Sequence, residues 1–86
     1  MRSPSEASLP LPMVGEGSHV RVVGFSGSQR NARRLAEMGL HPGVILTVLR
    51  DTGGSLLVAV GDTRLALSYG MAQAVLVCPL EREIHE

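Results

Sequence analysis

From Val44 onward the chain divides into apolar runs of strand length, parted by Asp51-Thr-Gly-Gly54 and by Gly61-Asp62. This punctuation leaves no room for a second helix of ordinary length, and a Gly-X pair between two such runs is a two-residue hairpin connection. Val44–Leu49, Ser55–Val60 and Thr63–Leu67 are therefore predicted to form a meander. A short turn through Ser68-Tyr-Gly-Met-Ala72 then leads to a last strand, Ala74–Cys78, ended by Pro79. Upstream, His19–Val23 alternates, with Val20 and Val22 on one face and Arg21 on the other, and Gly24 closes it. About five strands are too few for a two-sheet sandwich, so the sheet is expected to curl into a small, mostly β barrel that removes its own edges.

Helical spacing occurs once, over Ser26–Met38. Ala32, Leu35 and Ala36 share a face, while Arg30, Arg33 and Glu37 line the opposite one. Either Ser26, with Gln29 three residues on, or Ser28 can serve as the N-cap. Gly39 stands where a left-handed residue ends a helix, so Leu40 is expected to fold back onto Leu35. Pro42-Gly43 is a type II turn signal. One short helix is thus inserted after the first strand.

Residues 1–12 are rich in Pro and Ser and read as a disordered tail; residues 81–86 read as a charged tail, leaving residues 13–80 as the packed domain. A single cysteine, Cys78, excludes an internal disulfide framework and a four-cysteine zinc site, so the fold must rest on aliphatic packing. The longest apolar runs, Leu56–Val60 and Ala74–Cys78, fall far short of the ~20 residues that span a bilayer. Residues 1–12 also lack the apolar core of a secretory signal, and a cytoplasmic setting is expected. Eight Arg, no Lys and eight acids give zero formal charge, which argues against sequence-independent binding to nucleic acid. There is no Ser-His-Asp order and no phosphate loop, and Gly24-Phe-Ser-Gly27 lacks the lysine and spacing of one. No catalytic residue is assigned.

The ordered set Arg33-Arg34-Leu35, Glu37, Gly39-Leu40, Pro42-Gly43, then Gly61 with Leu65-Ala66-Leu67, resembles the ferrous iron transport protein A family, FeoA. The resemblance covers residues from about 13 to 78. It implies an SH3-like small barrel and a non-enzymatic accessory role in bacterial ferrous iron uptake. It also implies a partner, the membrane transporter FeoB, which carries a GTP-binding domain. The alternatives are a nucleic-acid-binding small barrel, which the charge balance and the two aromatics Phe25 and Tyr69 disfavour, and a relative of the SH3-like domains of iron-dependent repressors.

Candidate sites follow from the same residues. Arg30, Arg33, Arg34, Met38, Leu40 and Met71 make a partner-binding set around the helix and the Gly39-Leu40 corner. Family strands usually carry charge on their outer positions; here Ile45, Leu49 and Leu57 stand there, suiting self-association. The imidazoles His19, His41 and His85 are spaced too irregularly for a closed metal site, so no intrinsic cofactor is expected. Weak Fe2+ or Zn2+ binding at His41, or at Glu83, His85 and Glu86, is the expected limit, and it would bridge a homodimer.

Overall fold

The structure is a computed structural model that describes residues 8–80. The 1–7 part of the N-terminal tail and the C-terminal tail 81–86 lie outside the described residues. Six strands make one antiparallel sheet: β1 (Leu9–Pro10), β2 (His19–Phe25), β3 (Ile45–Asp51), β4 (Ser55–Val60), β5 (Thr63–Ser68) and β6 (Val75–Pro79), in the order β1-β6-β2-β3-β4-β5. Helix α1 (Gln29–Glu37) lies between β2 and β3, and α2 (Tyr69–Gln73) between β5 and β6.

Every long strand buries alternate residues. Val20 and Val22, Leu46 and Val48, Leu56 and Val58, Leu67, and Val75 and Val77 meet in one core cluster with Leu11, Leu35, Leu40 and Ala72. No second sheet faces them, so the single sheet wraps its inner face around the cluster. The wrapping is helped by two register shifts, one in β2 between Val22 and Gly24 and one in β3 between Val48 and Arg50, because a bulge bends and twists its strand.

Two expectations need correction here. The sheet has six strands and is not closed by hydrogen bonds: β1 and β5 are its two edges, and α2 packs against both β5 and the 3-10 turn Leu11–Met13 that follows β1. The barrel is therefore only partly realised. The packed unit also begins before residue 13. Leu9 and Pro10 pair with Val77 and Leu76, and Leu11 is completely buried, because β6 offers a free edge that two residues suffice to cover. The tail expected over residues 1–12 does not extend over residues 9–12.

Local signals fare better. Ser28, not Ser26, caps α1, its hydroxyl accepting from the Asn31 N–H at 3.2 Å. At the other end the Leu40 N–H donates to the Leu35 carbonyl and the Gly39 N–H to the Ala36 carbonyl, both at 2.9 Å, with Gly39 at φ +97°. This is a Schellman closure, and it seats Leu40 on the core beside Leu35. Gly43 takes φ +99° and the Val44 N–H donates to the His41 carbonyl, as the type II turn requires. β2 runs through Gly24 to Phe25, with Val23 the extra residue of the bulge and Gly24 paired with Leu76. The expected turn after β5 is instead the short helix α2, capped by Ser68, whose hydroxyl accepts from the Met71 N–H.

Candidate functional site

Helix α1 is the insertion that departs from a plain sheet, and its attachment is narrow. Of its residues only Leu35 is buried, with Ala32 and Ala36 half-buried on either side. The opposite side carries Arg30, Arg33 and Glu37, with Arg34 at its flank, all exposed. Three guanidiniums against the single carboxylate of Glu37 leave this surface net positive, with fifteen N–H donors suited to bidentate pairing with carboxylates.

The rest of the expected partner-binding set divides. Met38 ends α1 and Met71 lies on α2, each half-buried against the core, so their thioethers fill gaps and present only an edge to solvent. Leu40 is fully buried and is withdrawn from the set, because the Schellman closure that places it at the corner also turns its side chain inward.

On the outer face of the sheet Ile45 and Leu49 are 48% and 37% exposed, while Leu57 is half-buried. They do not make one contiguous cluster. Leu49 is the extra residue of the β3 bulge beside Leu57, whereas Ile45 pairs with Arg21 at the far end of the strand. Between them Thr47 accepts or donates a 2.8 Å hydrogen bond with His19 Nδ1.

His41 is exposed in the turn after α1, and Glu83, His85 and Glu86 fall outside the described residues. Among the described residues no three His, Cys, Asp or Glu side chains converge as metal ligands. Cys78, expected in a largely buried strand, is half-buried on the outer face opposite Arg21. With Ser8 and Val23 these two line an open cavity of about 330 Å³.

One polar cluster was not legible beforehand. The Tyr69 hydroxyl donates to the Asp51 carboxylate at 3.0 and 2.9 Å, the same carboxylate accepts from the Gly53 N–H at 2.9 Å, and Glu16 accepts from the Asp51 N–H at 2.8 Å. The hydrogen bond to Asp51, then burial and the carboxylate charge, raise the Tyr69 phenol above its ordinary 10.0. The cluster ties the β3–β4 hairpin to α2. Asp-Thr-Gly-Gly announced the turn, but nothing local links it to a tyrosine eighteen positions on.

Comparison with known proteins places this geometry. Residues 9–79 match the FeoA domain. The chain belongs to the FeoA family. A crystal structure of an iron uptake regulatory protein, FeoA, is 34% identical, with a TM-score of 0.77 over 86% of this chain and 99% of that one. A FeoA-like protein from Clostridium acetobutylicum matches at 21% identity and TM-score 0.79, over 92% and 94% of the two chains. The same fold occurs in a manganese-dependent transcriptional repressor, 26% identical with TM-score 0.79, of which the match covers 44% against 90% of this chain. No curated protein matches. FeoA membership implies involvement in ferrous iron transport, and FeoA domains are not a known enzyme family. Among the described residues no helix is long and apolar enough to cross a membrane.

Proposed function

We propose that this FeoA protein is a non-enzymatic, cytoplasmic regulator of ferrous iron uptake that binds the transporter FeoB and modulates transport. The observation that carries the reading is the solvent face of α1, where Arg30, Arg33 and Arg34 project together from a helix held to the sheet by Leu35. A helix so attached contributes little to the core beyond one leucine, while its charge gives orientation and a fast encounter with an acidic partner surface. The exposed edges of Met38, at the end of α1, and Met71, on α2, supply adaptable apolar contact.

Iron is the cargo of this system, and the protein needs no resident metal for the role. Any Fe2+ or Zn2+ it holds is bound weakly at the surface, with His41 offering one ligand and the rest coming from the 81–86 segment, solvent or a second molecule.

The reading is tested by pull-down of the full chain against the separated GTP-binding domain of FeoB and against the whole transporter. Capture by either supports it and says where the contact lies. Absence of capture by both, at protein concentrations up to about 100 μM, contradicts it.

A further inference from the structure

We infer that the free edge of β5 pairs with the β5 edge of a second copy of this chain, antiparallel about a two-fold axis at Ala66. The two edges of the sheet are unlike. β1 is two residues long and contains Pro10, so it offers almost no ladder to a stranger. β5 is six residues long, contains no proline, and pairs with β4 in unbroken register from Ser55–Ser68 to Val60–Thr63. Its outward backbone groups form no backbone hydrogen bond with any other element among the described residues. A regular edge of that length, which α2 meets where it follows Ser68, is a template for one more strand.

The side chains favour a copy of the same strand. Ala66 is exposed on the outer face beside Leu57, and Leu65 and Leu67 face inward beside Val58 and Leu56. With Ala66 opposite Ala66 of the second copy, Leu65 meets Leu67 and Leu67 meets Leu65. The outer row then reads Leu57, Ala66, Ala66, Leu57 across the join, and the inner row Leu56, Leu67, Leu65, Val58. Apolar rows therefore continue on both faces. The one charge on the strand, Arg64, falls opposite Ser68, and its symmetry mate lies four residues away along the axis. That is about 13 Å, beyond the ~8 Å screening length at physiological salt. A parallel arrangement would set the two Arg64 side by side, about 4.8 Å between strands. Six-residue pairing buries a small area, so the dimer is weak and concentration-dependent.

Sedimentation equilibrium of the full chain, from about 10 μM to 1 mM, tests this, together with amide exchange of β5 at both limits. The expected result is a dimer that grows with concentration, β5 amides that become protected with it, and Ala66→Lys that returns the protein to monomer with an unchanged circular dichroism spectrum. Ile45→Lys and Leu49→Lys, on the outer face away from the edge, leave the dimer intact. A monomer throughout overturns the inference. So does a dimer that survives Ala66→Lys, or one that is lost with Leu49→Lys instead. Should Ala66→Lys fail to fold, β5 protection in the unaltered chain decides: exchange rates in β5 that do not slow with concentration overturn it.

Discussion

Tyr69 is the chain's one tyrosine and no lysine accompanies it, so its titration is not overlaid by that of another group of similar ordinary pKa. Its pKa is raised in the folded state by Asp51, which holds the neutral phenol as a donor. A group whose folded pKa lies above its unfolded one stabilises fully below the unfolded value, here 10.0, and that contribution is lost as pH rises through the higher folded value. Urea unfolding should show a midpoint that is flat to about pH 9.5 and declines above pH 10, and Tyr69→Phe should lower the midpoint at neutral pH and remove most of that decline. An equal decline in the variant would mean that the Asp51 contact does not operate in solution. The same residue shows where sequence reasoning stops. Asp51 and Tyr69 are each unremarkable locally, and only the pairing of β4 with β5 brings the hairpin and the start of α2 together.

At the scale of elements, α1 was legible because its determinants lie within one stretch: the Leu35 face, the Ser28 cap, and the Gly39-Leu40 closure. β1 was not, since a two-residue strand has no periodicity and owes its place to β6, almost seventy residues away. α2 was missed for a related reason: five residues make too short a window for a 3.6-residue period, and the Ser68 cap was the one signal that marked it. The narrow attachment of α1 has an energetic consequence. Leu35→Ala should destabilise the protein by about 2–5 kcal/mol in urea unfolding, because it opens a cavity where the helix meets the sheet and loosens the contact with Leu40. A loss below about 1 kcal/mol would show that the helix is held by something other than Leu35. The candidate site was half legible for the same physical cause: exposure of the arginines follows from helical phase, whereas burial of Leu40 depends on where the corner lands.

For the whole molecule, metal binding is proposed to be a property of the surface. Zinc or ferrous iron should bind the monomer weakly, by isothermal titration, with affinity reduced in His41→Ala and His85→Ala, and added metal should promote association. A submicromolar site in the monomer, indifferent to both substitutions, would reveal an internal site among residues not assigned here as ligands. Docking on FeoB through the arginine face is read out by titrating the transporter's GTP-binding domain, and then the whole transporter, with the unaltered protein and with Arg30→Glu/Arg33→Glu/Arg34→Glu. Because all three side chains are exposed, the variant should keep its circular dichroism spectrum and unfolding midpoint. Its affinity should fall about tenfold or more, ~1.4 kcal/mol, and the unaltered protein's affinity should weaken with added salt. Equal affinity of the two proteins for the transporter would mean that the arginine face takes no part in docking.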